Sequence, residues 1–347
     1  MQLLRHSGNP ILKPIKSHSW ERKAVFNASV VYFQNKFHMI YRAIGEYKDY
    51  ISSLGYAYSL DGINFIRDKK PILSPTKKYE RWGMEDPRIN PVGDKFYITY
   101  VVLSESAIRR SGGLSKTALV STSDFSKFKR HGIISPAGTN DKNVIILPEK
   151  IKNYFVILHR PRWFKQNIFK KNNDLYYDNG VRVIKWPLKE VPLRFPSIPS
   201  IWISFSEDLR HWFCHKILFE GKEAWEVNQI GLGPAPIKTE YGWLLFYHGV
   251  SGKRLPCVYG IASGIYSVGA VLLDLKNPSK VIAKTSKPLL TPRKDYEVCG
   301  DVPYVIYPSG AVVYGRKIFL YYGAADKTVC LATIDFKKLL NYLVKQK

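Results

Sequence analysis

Ser59-Leu60-Asp61-Gly62-Ile63-Asn64-Phe65 is the stretch from which the fold is read: a hydroxyl, an aspartate two residues on, and an aromatic four residues later. The step returns as Thr122-Ser123-Asp124 with Phe128, and as Ser206-Glu207-Asp208 with Trp212. Thr333-Ile334-Asp335 and the weaker Leu272-Leu273-Asp274 complete the set, the five aspartates lying 63, 84, 66 and 61 residues apart. A second pattern, strand, short polar turn and strand, also occurs five times, over residues 26–42, 86–101, 144–159, 233–248 and 302–322. Its turns carry Gln34-Asn35-Lys36, Gly93-Asp94-Lys95, Lys152-Asn153, Glu240-Tyr241-Gly242 and Gly315-Arg316-Lys317, residue types that favour tight reversals. A third echo sets Pro71-Ile72-Leu73-Ser74-Pro75 against Pro288-Leu289-Leu290-Thr291-Pro292. Each is followed by an aromatic-Glu pair, Tyr79-Glu80 and Tyr296-Glu297, which Trp20-Glu21 and Trp225-Glu226 repeat.

Five units of about 60 residues, each a small antiparallel sheet, predict an all-β fold, a five-bladed β-propeller spanning 1–347. The 84-residue gap predicts an inserted rim loop at about 161–200, a stretch rich in Lys, Pro and aromatics. Helical spacing is confined to 336–346, where apolar residues stand at 336, 339, 340, 343 and 344, so a short C-terminal helix is expected.

Composition narrows the class. Hydrophobic residues are 45% and charged residues 23% of the 347, enough apolar chain for a sizeable core. The longest apolar runs, such as 243–247 and 268–273, are too short to span a bilayer, and 1–14 has no continuous apolar stretch of a signal peptide. Cys214, Cys257, Cys299 and Cys330 stand singly, which argues against a disulfide scaffold and a zinc ribbon. A cytoplasmic protein with no membrane partner is the expectation. The net charge of +25 attracts anions, but the lysines are scattered in twos and threes without a nucleic-acid-binding motif. No nucleic-acid partner is expected.

A propeller brings the ends of its inner strands to one mouth of the central channel. Polar residues interrupt these strands at matching places: Asn27 and Arg42, Asp86 and Arg88, Lys150 with His159 and Arg160, Tyr247 and His248, and Asp301 with Asp326. Asp86 precedes Pro87 and is therefore held in extended backbone, with Arg88 on the same side and Glu85 pointing away as a structural residue. The cluster of Arg and Lys suits a small tetrahedral anion, which guanidinium groups bind in bidentate fashion. Gly231-Leu232-Gly233-Pro234 reads as close backbone approach near the axis, with His248 a ligand contact. No serine-hydrolase, zincin, phosphate-loop or dinucleotide motif is present, which leaves glycoside chemistry as the leading enzyme class.

Gly83-Met84-Glu85-Asp86-Pro87-Arg88-Ile89 resembles the signature of glycoside hydrolase family 130, the β-mannoside phosphorylases and a few β-mannosidases on five-bladed propellers. Further matches are Pro148-Glu149-Lys150, Leu158-His159-Arg160-Pro161, 231–237, 242–250, 272–275 and 321–326, so the resemblance runs from Asn9 to about Ala332. Ala28 and Leu147 depart from the family pattern without touching the proposed chemistry. The resemblance implies Asp86 as general acid, and Arg42, Arg88, Lys150 and His159 as phosphate-binding residues. It places Asn27 and Asp326 on the sugar, and Arg160, Tyr247 and His248 join them as substrate-binding candidates. The implied reaction is reversible, inverting phosphorolysis of a β-mannoside to α-mannose 1-phosphate and a shortened acceptor. Inorganic phosphate is then a co-substrate, with no metal and no cofactor. A β-mannoside hydrolase and a non-catalytic sugar-binding propeller are the rival readings, and self-association into a homo-oligomer is left open.

Overall fold

Each Ser/Thr-x-Asp step closes the third strand of a four-stranded antiparallel sheet. The computed structural model describes every residue except 107–114, 137–138, 162–174, 179–180, 185–197, 253–254, 258–259, 263 and 347. Asp61 accepts the backbone N–H groups of Ile63 and Asn64, Asp124 those of Ser126 and Lys127, and Asp208 those of Arg210 and His211. Asp274 does the same for Lys276 and Asn277, while Asp335 caps the final helix at Lys338. These are local turns set by a short carboxylate, so the repeat marks one position in five sheets.

The sheets are five blades of a β-propeller. Blade one is Ala24–Phe33, Lys36–Ile44, Ser52–Ser59 and Ile66–Arg67, counted from the axis outward. Blade two is Glu85–Val92, Lys95–Leu103, Ser115–Thr122 and Lys129–Ile133. Blade three is Asp141–Ile146, Phe155–Pro161, Ile201–Ser206 and Trp212–Phe219. Blade four is Gln229–Leu232, Gly242–Val250, Tyr266–Leu273 and Val281–Lys284, with Ile237–Thr239 also pairing its second strand. Blade five takes Ile306–Tyr314, Lys317–Ala324 and Thr328–Asp335 from one end of the chain and Leu4–Arg5 from the other. Leu4 faces Thr333 in that pairing, which closes the ring.

Apolar residues fill the five spaces between neighbouring blades. Phe37, Met39 and Tyr41 of blade one meet Val312, Tyr321 and Leu331 of blade five, and Ile145 and Leu158 of blade three meet Leu245 and Val271 of blade four. Burying each such side chain stabilises by roughly 1.5–3 kcal/mol, so the ring is held by its inter-blade cores. The predicted helix forms over Phe336–Val344 and buries Leu339, Leu340 and Leu343. The chain leaves blade three after Pro161 and returns at Ile201, so the insertion lies between the second and third strands. Leu175–Asp178 pairs with Val181–Ile184 inside it, and much of the expected 161–200 rim loop lies outside the described residues.

The aromatic-Glu pairs form a repeated latch. Four fully buried glutamates each accept a tyrosine hydroxyl from the second strand and a cation from the outermost one. Glu21 takes Tyr41 at 2.8 Å and Arg67 at 3.1 Å, and Glu80 takes Tyr100 at 2.7 Å and Arg130 at 2.9 Å. Glu226 takes Tyr247 at 2.5 Å and Lys284 at 2.7 Å, and Glu297 takes Tyr322 at 2.9 Å and Arg5 at 2.7 Å. Blade three departs from this. His159 stands where Tyr41 and Tyr100 stand, opposite the bulge of the inner strand. Its Nδ1 meets Asp141 at 2.7 Å and its Nε2 meets Ser204 at 2.9 Å, and Ser204 also bonds His215 at 2.6 Å.

Candidate active site

Four inner strands carry a bulge near their first residues: three lie between Phe26 and Ser29, Glu85 and Arg88, and Lys142 and Ile145, and the fourth between Pro308 and Gly310. In the first three, Asn27, Asp86 and Asn143 have φ of 50°, 49° and 59°, so Asp86 is left-handed and not extended as its place before Pro87 predicts. Asn and Asp tolerate this left-handed backbone better than other side-chain-bearing residues, which accounts for their choice. A bulge also resets the alternation of side chains. Glu85, expected to point away from Asp86, is therefore beside it and ion-paired with the same arginine.

Asp86 is the centre of the cluster. Asn27 Nδ2 donates to its Oδ1 at 2.7 Å, Arg42 Nη1 donates to the same oxygen at 3.3 Å, and the Tyr307 hydroxyl donates to Oδ2 at 3.3 Å. Arg42 is buried against the Phe26 ring, its Nε donating to Ser52 at 2.9 Å and its Nη2 to Glu85. Lys142 reaches Glu85 from blade three at 3.7 Å. Arg88 crosses toward blade four, its Nε donating to the Gly233 carbonyl at 2.8 Å and its guanidinium lying 5.0 Å from the Tyr307 ring. Its buried Nη2 has no hydrogen-bond partner among the described residues.

Burial alone would raise the Asp86 carboxyl, but Arg42, Arg88 and Lys142, with the Asn27 hydrogen bond, hold it down at about 2. Asp326 behaves oppositely. Burial, reinforced by Asp86, Asp301 and Glu85 against the opposing Arg42, pushes it up to about 7. His248 is lowered by burial and then by Arg160 and Arg88, so it lines the site as a neutral imidazole, its ring 4.8 Å from that of Tyr307. Gly231 makes that approach feasible, since a Cβ there would fall 2.4 Å from the His248 ring and 2.8 Å from Asn143 Oδ1.

The structure thus gathers Asn27, Arg42, Asp86, Arg88, Arg160, His248 and Asp326 at one mouth, and it separates three other candidates from them. Lys150 lies on the turn joining the first two strands of blade three, whereas Asp86 lies at the start of an inner strand. Lys150 is therefore at the opposite end of the ring, exposed, with its ammonium 4.2 Å from the Phe155 ring. His159 and Tyr247 face the latch groups of their own blades, because consecutive strand residues point to opposite faces and it is the neighbouring Arg160 and His248 that turn toward Tyr307 and Arg88. Sequence reasoning missed Lys142, Asn143 and Tyr307. The signal was Asp141-Lys142-Asn143, which precedes its inner strand as Asn27 and Asp86 precede theirs. Among the described residues no group of His, Cys, Asp or Glu is arranged to hold a metal, and no helix is long and apolar enough to cross a membrane.

Five blades set a carboxylate caged by cations at one mouth of the ring, and the relatives of the chain place it in the glycoside phosphorylase and hydrolase class. The glycoside hydrolase 130 family model, described as beta-1,4-mannooligosaccharide phosphorylase, matches residues 4–345, and the chain belongs to that family. It is 37% identical over 355 residues to a beta-1,2-mannobiose phosphorylase of Thermoanaerobacter sp. (strain X514), covering 97% of this chain and 99% of that one. A 1,2-beta-oligomannan phosphorylase of the same organism is 34% identical over 345 residues, covering 98% and 99%. The solved beta-1,2-mannobiose phosphorylase of Listeria innocua, in complex with beta-1,2-mannobiose, superposes with a TM-score of 0.77 at 25% identity, covering 99% of each chain.

Proposed function

We infer that the protein is an inverting β-mannoside phosphorylase acting on β-1,2-linked mannosides. The observation that carries the reading is the convergence of Arg42, Arg88 and Lys142, from three blades, on Asp86 and its neighbour Glu85. Bound phosphate is a nucleophile already ionised, so its site needs cations that offset desolvation and orient it rather than a base that activates water. Arg88 supports this with its buried Nη2, which makes no hydrogen bond among the described residues. The β-1,2 linkage is supported by the two curated relatives of 34% and 37% identity, both named for it.

In this mechanism a phosphate oxygen forms a bond to the anomeric carbon from the face opposite the leaving group. The bond from that carbon to the glycosidic oxygen breaks, and the proton from Asp86 passes to that oxygen, directly or through a sugar hydroxyl. The products are α-mannose 1-phosphate and the shortened acceptor, and Asp86 is left as a carboxylate held by Asn27, Arg42 and Tyr307. Asn27 and Asp326 are the sugar-side partners. No organic cofactor takes part.

The test is incubation of β-1,2-mannobiose with and without inorganic phosphate, with product identification. Phosphate-dependent release of α-mannose 1-phosphate is expected. Equal release of free mannose in both buffers would make the enzyme a hydrolase, and turnover of a β-1,4-linked mannobiose in preference would overturn the linkage.

A further inference from the structure

A general acid must carry a proton when it reacts, yet the cage described above keeps Asp86 ionised. Arg42 pairs with it at 3.3 Å, Asn27 and Tyr307 both donate to it, and Lys142 and Arg88 add positive charge from either side. Every one of these contacts favours the charged form. A proton reaches Asp86 only if that positive field is spent on something else.

We propose that the tetrahedral dianion itself arms the acid: when it occupies the cations around Asp86, the carboxyl takes up the proton that it later delivers. Lys142 and Arg42 then serve two anions in turn, and they are the residues that make cleavage depend on phosphate. The proposal rests on the reading of this mouth as the phosphate site. Water brings no charge to the cage, so it cannot replace phosphate: with water as nucleophile Asp86 stays unprotonated and the glycosidic oxygen has no donor. The same logic gives the order of events. Anion binding precedes protonation, and bond cleavage returns Asp86 to the ionised form that the empty cage favours.

Titratable and polar groups from all five blades face Asp86. Blade one supplies Asn27 and Arg42, blade two Glu85 and Arg88, blade three Lys142, blade four His248, and blade five Tyr307 and Asp326. Arg160 lies beyond, acting on His248 and Tyr307. Glu85 stays paired to Arg42 and Lys142 and competes for their charge, and the buried tyrosine stays neutral. Asp326 is the other carboxyl whose proton a bound anion could alter, so the test must separate the two.

Sulfate is the probe, because it is a tetrahedral dianion that has no proton to exchange near neutrality. Calorimetric titration at pH 6 in two buffers of different ionisation enthalpy reads the protons taken up per sulfate bound. Wild type is expected to take up between roughly half a proton and one proton, and its affinity to tighten about three- to tenfold for each unit fall in pH. Asp86→Asn is expected to bind sulfate with no uptake and a flat pH dependence, its retained binding showing that it is folded. Binding to wild type without proton uptake would overturn the arming proposal alone. Undiminished uptake in Asp86→Asn that disappears in Asp326→Asn would also overturn it and move the proton to Asp326. Saturable binding of neither sulfate nor phosphate would overturn the phosphate-site reading and the arming proposal with it.

Discussion

Asp86 and Asp326 share Arg42 but hold protons differently, and each assignment has a measurable consequence. Asp86→Asn removes the proton donor while leaving a side chain that tolerates the same left-handed backbone, so turnover is expected to fall by about 10²–10⁴-fold in a folded protein. Kinetics and circular dichroism on the same preparation check this. Lys142→Ala is expected to weaken phosphate binding by about 10–100-fold, the effect of one charge-assisted hydrogen bond. Lys150→Ala, at the far end of the ring, is expected to leave the phosphate KM unchanged. Asp326 bears on stability. Its folded-state carboxyl lies at about 7 against an ordinary 3.8, so between these values the folded chain keeps a proton that the unfolded chain has lost. Stability from this group therefore falls as pH rises through that window, and the cost is complete above about 7. Asp326→Asn should accordingly raise stability by about 4 kcal/mol at pH 8 and leave it nearly unchanged at pH 4, as read by denaturant unfolding.

Blades were legible in the sequence because their markers are local. An Asp turn, a polar reversal and an aromatic-Glu pair each do their work within a few residues, so their spacing survives as a repeat. The site was less legible because a bulge decides where a side chain points, and a bulge is a property of two paired strands. The motif singles out Asp86, but alternation aims Glu85 away from it where the bulge brings it alongside, and Lys150, which the sequence favours, lies at the other end of the ring from Lys142. His159 and Tyr247 looked like site residues because a polar group inside an apolar strand serves a latch as readily as a ligand. The latches give the element-scale expectations. Tyr100→Phe leaves buried Glu80 short of one donor, a loss of about 1.5–3 kcal/mol, visible as a lower melting temperature with intact catalysis. Blade three carries imidazoles in place of a glutamate latch. Burial first, and then the neighbouring His159, lower His215 to about 3 from an ordinary 6.5, so the fold excludes a proton there. Its contribution to stability is present above about pH 6.5 and is lost as pH falls toward 3. Hydrogen exchange at pH 5 should therefore show blade three opening more readily than blade two.

At the scale of the molecule, five blades turn distant residues into neighbours: Asn27, Asp86, Lys142 and Tyr307 meet although they span most of the chain. The closing blade is what keeps them together. Leu4 and Arg5 complete its sheet, and Arg5 bonds Glu297 through both Nε and Nη2. Arg5→Ala should lower the melting temperature and leave the phosphate KM unaltered, since no group at the mouth is touched. The pairing of Leu4 with Thr333 also bears on how the protein is made. A chain leaving the ribosome in order presents Leu4 long before Thr333 exists, so the strand at Leu4 waits through the synthesis of four blades. Closing so distant a contact is slow compared with folding each hairpin. During translation the nascent chain is thus an open arc with an unpaired edge, a state that chaperones are suited to guard. Tyr307 reaches Asp86 from the same late-made blade, so active enzyme is expected only after the last strands have been released.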